Sequence, residues 1–329
     1  MDTASLPILT IVGATGIQGQ SVLNSALRAG SYKIRAITRN PNSQAAKKLE
    51  DVGVEVAKAD LNDLSSLINA FEGTTYLFAM TNFFEPFAKH DAKTAMEIEV
   101  TQGVNIAKAA ADCSTLKHYI WSTLPHASKI SKGEWPVPHF DGKAQVNDYI
   151  KGEKQLWEKT TFLWVSSYAS NFTFPMFTPN LLKSSGVYVQ LSVVPSSLKL
   201  PTIGNPLTNI GRFAISIFEQ PGLTLPGKFV FGTSSETTMG EMLESFSAVT
   251  GKPSKYVEVK DIDDYYALWP KWGEEIGAMM KYFEKTGEKA WTVEENDKIV
   301  TRSDLGLDGH KDFEGIEAAL RTLNWKELL

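Results

Sequence analysis

The chain is short of several things, and each shortage closes off a class of protein. It holds one cysteine, Cys113, in 329 residues, so no disulfide within the chain braces the fold and a reducing compartment is expected. The flanking run A-A-A-D-C-S-T-L reads as a helix end, which makes Cys113 a small buried apolar residue rather than a reactive thiol. The five histidines (His90, His118, His126, His139 and His310) are scattered, with no pair at zinc spacing, so no metal site is expected. No apolar run approaches membrane-spanning length. Met1 to Pro7 carries no basic start and Ile8 to Val12 is far too short for a secretory leader. Positive charge is also scarce. Lys plus Arg number 33 against 38 Asp plus Glu, a net charge of −5 with no basic stripe, which argues against direct contact with nucleic acid, while the lack of a spanning run leaves no membrane partner expected. A cytoplasmic location is expected, with the nucleus left open. Neither an internal repeat nor a low-complexity tract is visible.

What is present points to one turn. Residues Ile8 to Gly19 read I-L-T-I-V-G-A-T-G-I-Q-G, a short β-branched run that ends in Gly13, Gly16 and Gly19. An amphipathic, helix-forming segment follows from Gln18 to about Arg28. Strand, glycine turn and helix form the geometry that holds a dinucleotide pyrophosphate. Gly13 permits the sharp exit from the strand, Gly16 lets backbone N–H groups approach phosphate, and Gly19 lets the helix pack tightly. The positive end of the helix then faces the anion.

Beyond it, the pattern alternates. Strands are expected at Lys33 to Thr38, Val54 to Ala59, Thr75 to Met80, Leu116 to Trp121 and Thr161 to Ser166. Helices are expected at Gln44 to Val52, Leu64 to Phe71, Ala92 to Asp112 and, as one long piece, His139 to Thr160. Short connections between such elements make an α/β doubly wound parallel sheet of the Rossmann type. Past Ser167 the texture changes to aromatics, prolines and short pieces such as Tyr188 to Val194, Thr237 to Thr250 and Tyr256 to Val259. The expected division is residues 1–170 for the dinucleotide domain and 171–329 for a smaller α/β region toward substrate or partner, with at least one return to the sheet. At 43% hydrophobic residues the chain has ample core for either one or two domains.

The place after the second strand, where a carboxylate would grip the ribose diol of NAD, holds Arg39 in T-R-N-P. A guanidinium cannot accept those bonds but pairs with a 2′-phosphate, and no Asp or Glu lies between Lys33 and Gln44, so NADP(H) is the expected cofactor. Asp60 closes the third strand, either at the adenine edge or as a helix cap. Thr81 and Asn82 end the fourth, with Phe83 and Phe84 on the nicotinamide side. For chemistry, the usual Tyr-x-x-x-Lys pair is absent: H-F-D-G-K puts His139 one turn before Lys143, with Ser122 or Thr123 at the end of the preceding strand. His139, Lys143 and Ser122 are therefore the candidate catalytic residues, the histidine as proton shuttle and the lysine as proton carrier or ribose clamp.

Taken in order, G-A-T-G-I-Q-G, I-T-R-N-P, T-N-F-F-E, H-F-D-G-K and Y-A-S-N-F resemble the NmrA-like family of atypical short-chain dehydrogenase/reductases. The likeness covers at least Ile8 to Phe172, about half the chain. It implies a Rossmann domain with a smaller α/β domain. It also implies NADP contacts at Gly13, Ala14, Thr15, Gly16, Ile17 and Gln18 in the turn that ends at Gly19, at Arg39 and Asn40, and at Asp60 and Leu61. Further contacts are implied at Thr81, Asn82, Phe83, Lys143, Tyr168, Ala169, Ser170 and Asn171. Where some members place a cofactor-contacting lysine, this chain has Thr101. The family holds both reductases and redox sensors without turnover, so two readings stand. In one, the chain reduces a small apolar, aromatic or secondary-metabolite substrate, with Phe172, Phe174, Phe177, Trp269 and Trp272 available to line a pocket. In the other, it binds NADP(H) and regulates a partner protein, for which the acidic surface suits a basic partner. A homodimer remains open in both.

Overall fold

The computed structural model describes residues 6–293, 298–309 and 313–329; Met1 to Ser5 and His310 lie outside the described residues. The strands are β1 (Ile8–Val12), β2 (Lys33–Thr38), β3 (Glu55–Lys58), β4 (Tyr76–Ala79), β5 (His118–Thr123), β6 (Thr160–Val165), β7 (Ser167–Tyr168), β8 (Asn180–Leu182), β9 (Val187–Ser192), β10 (Lys199–Gly204), β11 (Lys228–Gly232), β12 (Ser235–Thr238) and β13 (Ser254–Glu258). The helices that matter for the site are α1 (Ile17–Ala29), α2 (Gln44–Glu50), α3 (Leu64–Phe71), α4 (Phe84–Phe87), α5 (Ala92–Asp112), α6 (Ala127–Ile130) and α7 (Pro138–Gly152).

Seven strands form one parallel sheet in the order β11-β6-β5-β4-β1-β2-β3. Every residue of β5 and β6 is buried, because helices cover both faces and neither side of these strands meets water. The chain leaves β1 toward β2 on one side and returns to β4 on the other, so the winding reverses between β1 and β4. Loops diverge at such a point and leave a crevice outside the C-terminal ends of the two strands. Gly13 follows β1 and Thr81 follows β4, which places both at that crevice.

The later part of the chain is interleaved with the first. β11 pairs with β6 throughout Lys228 to Gly232, extending the sheet. Helix Pro206–Glu219 packs along α1, where the Gly211 N–H donates to Ser21 Oγ at 2.8 Å. Two small sheets, β12-β10-β7 and β13-β9-β8, carry most of the remaining strands.

Two expectations need correcting. The helix read as His139 to Thr160 is broken: α7 ends at Gly152, Glu153 leaves the helical region at φ −97° and ψ 82°, and a separate turn of helix, Lys154–Trp157, follows. Thr160 already belongs to β6, since Thr160 to Trp164 pair with Tyr119 to Thr123 and pairing outweighs local helix preference. Ser122 and Thr123 accordingly lie within β5, which starts at His118 rather than Leu116. The piece Thr237 to Thr250, expected as a short strand or an isolated helix, is the helix Met239–Thr250, preceded by β12; Thr238 and Glu241 form a reciprocal capping box at its start.

Candidate functional site

The first wall of the site is the β1–α1 turn. Gly13 sits at φ +81°, a left-handed conformation that side chains disfavour. A Cβ on Gly19 would lie 2.1 Å from the Gly13 carbonyl oxygen, so only glycine lets α1 start this close to the strand. Gly16 caps α1 without any side-chain hydrogen bond among the described residues, and Thr15, Gly16 and Ile17 are exposed. The first turn of α1 thus offers unclaimed N–H groups and the positive end of its dipole to an anion. These features fit a pyrophosphate.

The second wall is α7 against β4 and α5. Lys143 Nζ donates to the Thr81 carbonyl at 2.8 Å, to Thr81 Oγ1 at 3.0 Å and to Glu99 Oε1 at 2.5 Å. Thr81 Oγ1 in turn donates to Glu99 Oε1 at 2.8 Å. Glu99 is fully buried and its Oε2 has no hydrogen-bond partner among the described residues. An ion pair is the arrangement that makes a buried ammonium and carboxylate tolerable together. Glu99 was missed by sequence reasoning, although a signal exists: Ala95, Glu99, Gly103 and Ile106 share the buried stripe of α5, and a carboxylate on such a stripe needs a partner.

His139, one turn earlier on α7, is held from the later half of the chain. Glu275 Oε1 accepts from the His139 backbone N–H at 3.1 Å and lies 2.5 Å from Nδ1. Glu275 sits on helix Trp272–Thr286 and is buried. The imidazole lies 5.8 Å from the Phe83 ring and 5.3 Å from Phe84. Phe84 stacks on Trp272 at 5.8 Å and also meets Phe174 at 5.4 Å. Phe83 itself is buried against Phe87. Phe172 is elsewhere, stacked on Phe246.

Ser122 joins the turn rather than Lys143. Its Oγ donates to Gln18 Oε1 at 2.6 Å, and the Gln18 amide donates to the Tyr168 hydroxyl at 2.7 Å. This chain of bonds ties β5, α1 and β7 together. Desolvation pushes the Tyr168 phenol up to about 12, against a smaller downward pull from Gln18, so the phenol stays neutral near pH 7. Ala169 is buried, and the Ser170 Oγ is buried with no partner among the described residues. Asn171 opens the segment that ends at Phe174, whose N–H donates to the Asn171 carbonyl at 2.9 Å.

At the far side, Arg39 is exposed and its Nη1 meets Glu85 Oε1 at 2.7 Å. Glu85, on α4, was not foreseen because it lies 46 residues away in sequence. Asn40 is exposed, with Oδ1 accepting from the Asn42 N–H at 3.1 Å. Asp60 makes a local turn, Oδ1 accepting from the Asn62 backbone and amide at 2.9 Å each, while Asp63 caps α3. The Leu61 carbonyl accepts from Asn105 on α5 at 2.9 Å, and Asn82 Oδ1 accepts from the Phe84 N–H at 3.1 Å. Thr101 is exposed and bonds its own helix at Glu97. A hollow of about 460 Å³ opens between α1 and α2, lined by Ala14, Thr15, Gln20 and Lys48, and does not reach Thr81, Lys143 or His139. Among the described residues no helix is long and apolar enough to cross a membrane.

A doubly wound sheet with a glycine-built turn at its switch point defines a protein of the Rossmann class. More closely, residues 7–314 match the model of the NmrA-like family, and the chain belongs to that family. The match extends well past Phe172. The NmrA-like oxidoreductase hkm9 of Aspergillus hancockii is 27% identical over 261 residues, which are 77% of this chain and 75% of that protein. The NmrA-like oxidoreductase notA of an Aspergillus species is 35% identical over 275 residues, 78% and 77% of the two chains. Among solved structures, NmrA, a negative transcriptional regulator, superposes in its complex with NAD at a TM-score of 0.76 and 20% identity, covering 98% of this chain and 96% of that one. Its NADP complex gives 0.73 and 21% identity, at 98% and 96% coverage. At such identity these two structures speak for the fold alone.

Proposed function

We propose that the chain is an NADP(H)-dependent oxidoreductase that reduces a small apolar or aromatic substrate by hydride transfer. One observation carries this reading. The crevice has an uncapped, glycine-built helix start on one side and, on the other, the Lys143 ammonium held at the end of β4 by Thr81 and Glu99. The first suits the pyrophosphate; the second sets a fixed positive charge near the reacting ring, where a ribose hydroxyl would take the place of the Thr81 hydroxyl as acceptor. Gly13 to Gly19 would hold the phosphates, Arg39 the 2′-phosphate, and Tyr168 to Asn171 the far side of the ring. The domain division near residue 170 belongs to the same proposal.

When bound, the reduced dinucleotide supplies a hydride. The chain's own part is to bind, aim and manage protons. Lys143 is a cation locked in place by Glu99, so it orients and polarises rather than abstracting a proton. Ser122 is engaged with Gln18 and steadies the turn. The aromatic wall of Phe84, Phe174 and Trp272 excludes water and favours a flat apolar substrate.

The sensor reading draws on NmrA, a negative transcriptional regulator related in fold at 20–21% identity, whereas the more similar relatives carry the name oxidoreductase. We therefore favour turnover. Calorimetry with NADPH and NADH, followed by NADPH oxidation in the presence of quinones, enones or imines, tests it. Lys143→Ala should abolish oxidation. No heat with either nucleotide would reject the proposal at its root.

A further inference from the structure

We infer that His139 and Glu275 form the pair that moves the proton in this reduction, with Glu275 as the positioning residue supplied by the later half of the chain; the inference rests on the oxidoreductase reading above. Glu275 Oε1 receives the His139 backbone N–H and also lies on Nδ1. A carboxylate has only lone pairs to offer, so Nδ1 must carry the hydrogen. That fixes the tautomer and leaves Nε2 as the nitrogen that gains and loses a proton. Nε2 has no hydrogen-bond partner among the described residues.

A second buried histidine shows what the carboxylate changes. His118 lies 2.8 Å from Thr161 Oγ1 through Nε2, and Thr161 Oγ1 donates its own hydrogen to the Thr224 carbonyl. His118 Nε2 must therefore carry the hydrogen, and its Nδ1 is buried with no partner among the described residues. No carboxylate bonds it, and burial alone pushes it down to about 4, so it stays neutral. His139 has the opposite tautomer, and its Nδ1–H meets a carboxylate oxygen.

The neighbouring charges are accounted for. Lys143 and Glu99 hold each other. Asp141 is held by His126, Ser128 and the Val137 N–H. Glu85 on α4 pairs with Arg39, and Lys271 donates to the Phe87 carbonyl. Among the described residues, only Glu275 brings charge into hydrogen-bond contact with the imidazole. Helix Trp272–Thr286 supplies both Glu275 and, one turn before it, Trp272, which stacks on Phe84 beside the ring. The same helix therefore sets the tautomer and the aromatic wall, and the substrate class that fits is a flat conjugated carbonyl or imine.

With a reduced dinucleotide bound between the Gly13–Gly19 turn and Lys143, the hydride it would supply would go to the substrate's C=O or C=N carbon. The π pair moves to the heteroatom, which takes the proton from Nε2–H of the imidazolium. The ring is left neutral with Nδ1–H still on Glu275, and it regains a proton from water. Lys143 keeps its charge throughout.

Nitrogen-15 NMR of the histidine rings, on the full chain with NADPH bound, reads the pairing directly. The neutral His139 ring should be the Nδ1–H tautomer, and Nε2 should be the nitrogen that titrates. Glu275→Ala should move the ring toward the Nε2–H tautomer; if the alanine chain does not fold, Glu275→Leu, which also removes the acceptor oxygen, should do the same, and an unmoved tautomer in either variant overturns the pairing. With phenanthrenequinone as probe, His139→Gln should lower kcat by about a hundredfold and remove the ionisation it contributes to the pH–rate profile, leaving KM for NADPH unchanged. An Nε2–H tautomer in the unmodified chain overturns the pairing, as does a His139→Gln chain with unaltered kcat and profile. If the chain binds NADPH but leaves the quinone untouched, the ring decides alone: a His139 that never titrates overturns the inference. Absence of NADPH binding would instead sink the parent reading, and calorimetry distinguishes the two.

Discussion

Two ion pairs flank the crevice, and they differ in almost every physical respect. Arg39 and Glu85 meet in the open, with side chains 63% and 46% exposed, and water screens their attraction. Lys143 and Glu99 meet in the interior, with side chains 11% and 0% exposed, braced by both oxygens of Thr81. The exposed pair can part when a better partner arrives; the buried pair cannot, because separation would leave a charge in low dielectric. The lesson is a division of labour. The open end is free to exchange Glu85 for another anion, and a 2′-phosphate is the one proposed above. The closed end is built to hold still, so it fixes geometry.

Breaking the closed end should have the largest effect. Glu99→Ala leaves an unpaired buried ammonium and should lower unfolding stability by about 3–5 kcal/mol in denaturant titrations. A loss below about 1 kcal/mol would place this pair in the same class as the exposed one and dissolve the contrast.

Next comes the uncharged buried site, His118, which shows what burial does without a carboxylate. Its folded value is pushed down to about 4 from an ordinary 6.5, so the unfolded chain takes the proton first. Stability is then complete above 6.5 and falls as pH drops from 6.5 toward 4, by about 3 kcal/mol in all. His118→Gln should flatten that part of the stability–pH curve. An unchanged slope would assign the acid sensitivity to other groups.

At the open end the effects shrink. Arg39→Ser should weaken NADPH binding about tenfold, roughly 1.4 kcal/mol, and leave NADH within about twofold. Equal losses for both nucleotides in a titration would remove Arg39 from the 2′-phosphate. The smallest change is expected from Glu85→Gln, which frees Arg39 without creating a buried charge. NADPH should bind a few times more tightly, by less than about 1 kcal/mol, and NADH should not change. Tighter binding of both nucleotides would mean that Glu85 repels the shared phosphates rather than competing for the guanidinium.

Much of this molecule could be read without coordinates, and the reasons are local. The β-branched runs and the glycine turn marked all of the first six strands to within about two residues at each end. The failures are also physical. The helix read through to Thr160 looked continuous because its amphipathic period runs past Gly152, whereas cross-strand pairing with β5 claims Thr160 for the sheet. Ser122, a candidate catalytic residue by its place at a strand end, has a partner that no local pattern shows: it bonds Gln18, 104 residues distant, because β5 and α1 meet there.

Sequence alone determined the strand–turn–helix grip, the scarcity of metal-binding and basic groups, and the placement of His139 and Lys143 one turn apart on a helix. Those follow from periodicity and from which residues tolerate a given backbone, properties that act over a few neighbours. Tertiary structure decided the partners: Glu99 for Lys143, 44 residues away, Glu275 for His139, 136 away, and Glu85 for Arg39, 46 away. No local pattern encodes such pairs, since a buried charge selects its counter-ion only when packing brings the two elements together and excludes the water that would otherwise have satisfied both.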